Sequence, residues 1–193
     1  MNAVVAQFAE PITLRNGDAA VVRAIRADDR DRLQAAFRAL DAESIYLRYF
    51  SHKQVLTEAD LDRLCEPDFA TRVVLVVTQD APGGELIIAA AGYVAHDAPD
   101  GVRAAEVAFT VEEDVHGQGI SSRLLVILAG MAREAGIARF EAEVLSRNTA
   151  MLGVFQHCGL PLTMQPPEDG VIRLSLSLTA LPPVPPIPAG ASR

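Results

Sequence analysis

The stretch VEEDVHGQGISSRLL, residues 111–125, most constrains what this chain can fold into. A β-rich run precedes it and an amphipathic run follows it, which predicts a strand, a tight turn and a helix in direct succession. Gly117 and Gly119 flank Gln118, and glycine adopts left-handed backbone and places no Cβ in the way of a close neighbour. The freed N–H groups and the dipole at the start of such a helix favour a bound phosphate.

The glycine pattern alone does not decide between a phosphate site and an ordinary turn. A dinucleotide-binding fold needs a third glycine, which GQGISS lacks, and a P-loop needs a Gly-Lys-Ser or Gly-Lys-Thr that is absent. A plain strand-to-helix turn with two glycines fits this short segment equally well. The surrounding residues must therefore decide.

Hydrophobic periodicity predicts an alternation of strands and helices along the chain. We expect strands at 21–25, 72–77, 86–95, 104–111, 138–145 and 171–178, and helices at 28–40, 41–50, 57–64, 119–135 and 149–157. This order predicts an α/β or α+β fold with a mixed, mostly antiparallel central sheet flanked by helices. Residues 1–179 are expected to form a single domain, and the proline-rich residues 180–193 an extended or disordered tail.

Composition narrows the functional classes. The chain has 193 residues, a formal net charge of −8 and only 5% aromatic residues, which disfavours a nucleic-acid partner. Its longest apolar run, residues 86–95, is too short to span a bilayer as a helix, and its start lacks the pattern of a secretory signal. The cysteines and histidines have no metal-ligand spacing. We therefore expect a cytoplasmic protein without a metal, a membrane partner or nucleic acid, and leave open whether it forms a homo-oligomer.

Residues 105–160 resemble the GNAT acetyltransferase superfamily. The loop of that family has the pattern Gln or Arg, any two residues, Gly, any residue, then Gly or Ala. The segment HGQGIS aligns with this pattern and places Gly119 on the central glycine. His116 and Ser121 depart from the residues that are usual at the first and last positions. NTAMLGVFQHCGL resembles the family's later segment, in which an Asn opens a helix that ends in Gly-Phe. The first half, with IRADDRDRLQAAF and TEADLDRLCEPD, is similar to the Pat-type bacterial protein-lysine acetyltransferases. The resemblance covers residues 12–178 and implies the GNAT fold.

The resemblance implies acetyl transfer from acetyl-coenzyme A to a primary amine, and within the narrower group to a lysine-bearing protein. Glu106 matches the glutamate of Pat-type relatives and is the candidate general base, because an amine with a pKa of about 10.4 must lose a proton before it attacks. Asn148 suits a helix N-cap and could also reach the pantetheine arm. The implied donor-binding residues are Phe109, Val111, His116, Gly117, Gln118, Gly119, Ile120, Ser121, Ser122, Asn148 and Phe155.

Phe155 is the clearest departure from the wider family. Many GNAT enzymes carry a tyrosine there that protonates the leaving thiolate; without it the thiolate must leave unaided, as a thiol pKa of about 8.5 permits, or activity is compromised. Residues 112–114 are expected to face solvent, and Arg123 either adds charge at the loop or is simply an exposed helix residue. A small-molecule amine acetyltransferase and a non-catalytic acetyl-coenzyme A-binding module remain alternatives.

Overall fold

An eight-stranded sheet forms the centre of the fold, in the order β1-β2-β3-β4-β5-β6-β8-β7. The computed structural model describes residues 2–179. The strands are β1 (Ala9–Thr13), β2 (Ala19–Ala24), β3 (Arg72–Ala81), β4 (Gly84–Asp97), β5 (Arg103–Val111), β6 (Arg139–Leu145), β7 (Leu162–Met164) and β8 (Val171–Ser177). Neighbouring strands are antiparallel except β5 and β6, which are parallel. The predicted mixed, mostly antiparallel sheet is confirmed.

Helices cover both faces of this sheet. They are α1 (Asn2–Ala6), α2 (Arg30–Ala39), α3 (Ala42–Tyr49), α4 (Glu58–Cys65), α5 (Ile120–Glu134) and α6 (Thr149–Gln156). Leu124, Leu125 and Leu128 are fully buried, so the apolar stripe predicted for residues 119–135 is the core face of α5. On the other face, Leu33 and Phe37 of α2 pack with residues of α4 over β3 and β4. One apolar layer therefore packs on each face of the sheet.

Helices α4 and α6 begin at a side-chain cap, whereas α2, expected from residue 28, begins at Arg30 without one. Thr57 Oγ1 accepts the backbone N–H of Asp60 at 3.2 Å, and the Asp60 carboxylate accepts the N–H of Thr57 at 2.8 Å. This reciprocal capping box satisfies two N–H groups that α4 itself leaves free. Asn148 caps α6 in a similar way, since its side-chain oxygen accepts from Met151 N–H at 3.0 Å.

Three elements lie outside the predicted set, and each has a physical reason for escaping it. α1 has five residues and β7 has three, which is too short for a hydrophobic period to be visible. β1 contains Pro11, which lowers the strand signal but is tolerated because β1 is an edge strand. Residues 78–85, which the expected strands 72–77 and 86–95 leave out, mostly extend the β3–β4 ladder. Within residues 2–179, no helix is long and apolar enough to cross a membrane. The predicted tail, 180–193, lies outside the described residues.

A buried ion pair fixes the start of α2 to β2. Arg23 and Asp29 are 1% and 0% exposed, and two hydrogen bonds of 2.7 and 2.8 Å join the guanidinium to both carboxylate oxygens. Asp29 also accepts the N–H of Arg26 at 2.8 Å. Burial alone would raise the pKa of the Asp29 carboxyl, but the hydrogen bonds from Arg23 and Arg26 outweigh it and hold that pKa below its usual 3.8.

We predict that Asp29→Asn lowers the free energy of unfolding by about 3 kcal/mol near neutral pH, because it removes the buried carboxylate of the pair. The buried guanidinium of Arg23 then keeps only Glu85, 2.9 Å from Nη2 and 30% exposed, as a counter-charge. Since the folded-state pKa of Asp29 is lowered, its contribution is complete above about pH 5 and declines as the pH falls below 3.8. Urea unfolding across that pH range measures both effects. Glu58→Gln is the control, because Glu58 pairs with Arg30 at the surface with an 82% exposed side chain. Equal losses in the two variants would contradict the prediction.

Candidate functional site

The site begins where β5 and β6 stop pairing. The two strands are joined over only three residue pairs, Ala104–Glu106 with Arg139–Glu141. Beyond Glu106, β5 continues along β4 while β6 continues along β8, so the strands diverge. Backbone groups on the diverging edges face a gap instead of a neighbouring strand. The gap offers extended main chain to a ligand.

A cleft of about 330 Å³ occupies this gap and extends to the start of α5. Glu106 lies on its wall together with every predicted donor-binding residue except Gln118. These residues come from three separate segments of the chain: β5, the glycine loop with the first turn of α5, and α6. We call this the donor cleft. The predicted residues that line it are Phe109, Val111, His116, Gly117, Gly119, Ile120, Ser121, Ser122, Asn148 and Phe155.

The backbone conformation explains both glycines of the loop. Gly117 has φ 74° and Gly119 has φ 85°, a region that residues with a Cβ rarely adopt. Arg123 N–H donates to the Gly119 carbonyl at 3.1 Å, which is the first hydrogen bond of α5. The N–H groups of residues 120–122 precede that bond and are free for an acceptor. No acidic residue lies in the first turn of α5, so this end of the helix suits an anion.

His116 turns away from the helix start. Its Nε2 lies 3.0 Å from the Val111 carbonyl oxygen, so the ring closes the loop back onto the end of β5. Val111 is one of the implied donor-binding residues, and this contact takes one lone pair of its carbonyl oxygen while the second stays available. His116, at the position where Gln or Arg is usual, therefore shapes the loop. Its side chain does not lie beside the free N–H groups at the start of α5.

Two expected loop residues face elsewhere. The Gln118 side-chain oxygen accepts the backbone N–H of Asn16 at 2.9 Å, so this side chain joins the β1–β2 turn and lines a neighbouring cavity. Arg123 lines the same neighbouring cavity and forms an ion pair with Glu10. Of the two interpretations of Arg123, the structure therefore favours the exposed helix residue over added charge at the loop. Only the backbone of Gln118 remains near the helix start.

Sequence spacing did not reveal Arg15. This residue lies in the β1–β2 turn, 102 positions before Gly117, yet its Nη1 donates to the Gly117 carbonyl at 3.0 Å. Its Nε is 3.4 Å from the point that a Cβ on Gly119 would occupy. Arg15 lines the donor cleft beside the glycine loop. The fold alone brings these two turns together, because no local sequence pattern in either segment predicts a contact with the other.

The α6 side of the donor cleft is apolar. Phe155 is 1% exposed, and its ring meets Phe109 edge-on with centroids 6.0 Å apart and an interplanar angle of 77°. Asn148 uses its side-chain oxygen as the cap of α6, which leaves its amide N–H groups free to donate toward the cleft. Ser44, Leu47 and Arg48 of α3 and its C-cap residue Phe50 also border the cleft, and no sequence motif pointed to them.

A second cleft, of about 280 Å³, lies between the sheet and helices α2–α4. Its floor has small residues on adjacent strands, with Gly92 opposite Ala108 and Ala90 opposite Thr110. Leu33 and Phe37 contribute apolar walls. We call this the acceptor-side cleft. It shares four residues with the donor cleft: Arg48, Glu106, Ala108 and Thr110. Glu106 is thus exposed at the junction of the two clefts.

The three acidic residues before the loop, 112–114, do not all face solvent. Glu112 is half-buried and lines the acceptor-side cleft, so the expectation of a solvent-facing side chain is wrong for this residue. Burial raises the pKa of the Glu112 carboxyl, and the neighbouring Glu113 and Asp114 charges raise it further. Asp114 is exposed, as expected, and Glu113 is partly buried.

Residues 20–161 match the family model described as "Acetyltransferase (GNAT) domain". The chain belongs to the GNAT acetyltransferase family. Acetyltransferase Pat of Mycolicibacterium smegmatis is 35% identical to this GNAT chain over 151 residues, an alignment that covers 77% of this chain and 43% of that protein. The chain therefore spans less than half the length of this relative. The predicted resemblance to the GNAT superfamily and to the Pat group is confirmed.

Solved structures agree with the GNAT assignment. The GNAT domain of S. lividans PAT has a TM-score of 0.76 and 37% identity, covering 88% of this chain and 96% of that one. The yncA structure from Salmonella typhimurium, solved with acetyl-CoA, has a TM-score of 0.67 and 19% identity, covering 84% of this chain and 97% of that one, a likeness of fold alone. Within residues 2–179, no three His, Cys, Asp or Glu side chains cluster in a way that could hold a metal ion.

We predict that Gly119→Ala lowers the free energy of unfolding by about 1–2 kcal/mol, because alanine resists the left-handed conformation. Gly130→Ala, in the interior of the same helix with no atom within 4 Å of the added Cβ, is the matched control. It should raise the free energy of unfolding by about 0.5–1 kcal/mol. Chemical denaturation of both variants checks the pair. Stabilisation by both substitutions would show that the loop tolerates a Cβ at Gly119.

Proposed function

We propose that this chain transfers an acetyl group from acetyl-coenzyme A to the side-chain amine of a protein lysine, with Glu106 as the general base. The position of Glu106 at the junction of the donor cleft and the acceptor-side cleft carries this proposal. A group that removes a proton from an amine as the amine attacks a thioester must be within reach of both reactants. Membership of the GNAT family supports the reaction class.

Different parts of the donor cleft suit different parts of acetyl-coenzyme A. The free N–H groups of residues 120–122 and the left-handed glycines before them suit a pyrophosphate. The unpaired edge of β5 beyond Glu106 suits the amide groups of a pantetheine arm, because extended main chain can pair with it as a strand would. Asn148 has amide N–H groups to donate, and Phe109 and Phe155 provide an apolar wall. Bound there, acetyl-coenzyme A would supply an activated thioester.

Glu106 has the geometry of a base rather than of a structural carboxylate. Its side chain is exposed to the cleft junction, and its backbone is paired with Val94 on β4 and Glu141 on β6. A carboxylate fixed on a rigid strand can take a proton from an incoming ammonium group. Beyond this point, β5 carries backbone N–H groups at the gap, a suitable source of donors for the oxygen that becomes negatively charged during attack.

The acceptor-side cleft suits the aliphatic stem of a lysine. Its floor carries the small residues Ala90, Gly92 and Ala108, and Leu33 and Phe37 give it apolar walls that can pack against such a stem. Charged side chains also line it: Arg48, Asp60, Arg63, Arg72, Glu106 and Glu112. Similarity to a protein named Acetyltransferase Pat and to the GNAT domain of a PAT supports a protein acceptor over a free amine.

Thiolate departure requires no acid from this chain. Phe155 has no proton to give, and coenzyme A leaves as a thiolate whose pKa of about 8.5 lies close enough to neutral for unaided departure. The ring of Phe155 is almost fully buried, so its contribution is to the apolar wall of the donor cleft. The base step at the amine is the one that a side chain must assist.

We predict that Glu106→Gln lowers kcat for thiol release by about 100-fold or more, while the Kd for acetyl-coenzyme A stays within a factor of about two. Isothermal titration gives the Kd, and a thiol-release assay with lysine-bearing proteins gives kcat. Glu134→Gln is the control, because Glu134 is exposed at the end of α5 and lines neither cleft.

The outcomes separate the alternatives. Thiol release by the wild type with small amines alone would favour a small-molecule acetyltransferase. Binding without release on any acceptor would favour an acetyl-coenzyme A-binding module. Full activity in Glu106→Gln would remove this residue from the mechanism while leaving the reaction itself in place.

We further predict that Phe155→Tyr gives no rise in kcat. The buried ring is packed against Phe109, so an added hydroxyl should cost about 1–3 kcal/mol of stability through overpacking or an unmet hydrogen bond. Thermal unfolding and the thiol-release assay test the two parts. A several-fold rise in kcat would instead show that the wild type lacks a useful acid.

A further inference from the structure

We propose that Arg15 binds the pyrophosphate of the acyl donor, supplying from the β1–β2 turn the positive charge that the glycine loop lacks. This inference rests on the proposed function, because it concerns how the same donor cleft holds acetyl-coenzyme A. Arg15 lies outside the part of the chain that matches the family model, which begins at residue 20. The glycine loop and the later Asn-to-Gly segment, the two motifs of the resemblance, do not include Arg15.

The contacts place the guanidinium at the start of α5. Arg15 Nη1 donates to the Gly117 carbonyl at 3.0 Å, and Nε and Nη2 lie 3.4 and 3.9 Å from the position of a Cβ on Gly119. The neighbouring turn residue Asn16 donates its N–H to the Gln118 side chain at 2.9 Å, which holds the two turns together. A guanidinium has five N–H donors, and the Gly117 carbonyl takes only one. The remaining donors are available beside the free N–H groups of residues 120–122.

The electrostatics point to an anion between Arg15 and α5. The start of a helix carries partial positive charge, so an exposed guanidinium beside it is mildly unfavourable, and a negative group between the two relieves that repulsion. The first turn of α5 has no acidic residue, and the Gly117 contact goes to a carbonyl, which does not neutralise the charge of Arg15. A pyrophosphate would accept hydrogen bonds from both.

The other basic side chains near the loop do not serve this purpose. Arg123 is bound to Glu10 and lines the neighbouring cavity. Arg48 lines both the donor cleft and the acceptor-side cleft, as Glu106 does, and in the described part of the chain it forms no hydrogen bond with the glycine loop. The His116 ring is turned onto the Val111 carbonyl. Within residues 2–179, Arg15 is the arginine that lines the donor cleft and contacts the glycine loop.

Isothermal titration of coenzyme A and 3′-dephospho-coenzyme A against the wild type, Arg15→Gln, Arg15→Lys and Arg123→Gln tests this inference. Arg15→Gln should raise the Kd of both ligands about tenfold at low salt. Arg15→Lys keeps the charge and should recover most of that loss. High salt should narrow the difference between wild type and Arg15→Gln, because it screens an exposed charge. Arg123→Gln should bind like the wild type, and thermal unfolding should show all variants folded.

Each contrary outcome has a definite meaning. An unchanged Kd in Arg15→Gln, or a loss seen with coenzyme A but not with its 3′-dephospho form, would overturn the assignment to the pyrophosphate. Equal losses in Arg15→Gln and Arg15→Lys, independent of salt, would show that Arg15 only shapes the loop through Gly117. Failure of the wild type to bind either ligand would reject the proposed function itself, and this inference with it.

Discussion

The early end of β5–β6 pairing is the constraint on which the site depends. A sheet that stays paired has no room for a ligand between its strands, and a strand that loses both neighbours loses its shape. Here β5 keeps β4 and β6 keeps β8, so each diverging strand remains extended by pairing on its far side. The edge-on contact of Phe109 with Phe155 then joins β5 to α6 in place of the missing ladder. Packing maintains a gap that backbone hydrogen bonding would otherwise close.

Alternation along β5 separates the two halves of the site. Val107 is buried in the core beneath α5 and α6, and Phe109 and Val111 pack against it, while Glu106, Ala108 and Thr110 also border the acceptor-side cleft. The same alternation takes Glu112 into the acceptor-side cleft, away from the free N–H groups of α5. A chain with a formal net charge of −8 can therefore present a positive helix end to a phosphate a few residues after an acidic run.

Local signals account for much of this arrangement. The 3.6-residue period of α5, the capping box at Thr57 and the cap at Asn148 all act within a few residues, and each is visible in the sequence. The orientation of Gln118 and the position of Arg15 depend on a contact between turns 102 residues apart, which no local pattern encodes. The acceptor-side cleft escaped prediction for the same reason, because its walls and floor come from separate layers of the fold.

Rigidity at Glu106 favours a catalytic interpretation of the junction. This residue is the last of β5 with strand partners on both sides, Val94 and Glu141, so its backbone is held while the chain beyond it is paired on one side only. A module that merely bound acetyl-coenzyme A would need the glycine loop and the gap, but no carboxylate held at the meeting point of two clefts. A base, by contrast, must keep its distance to the reacting atoms within a fraction of an ångström, and a doubly paired strand position provides that. The protein thus combines an open gap between two strands with a fixed carboxylate at the closed end of that gap.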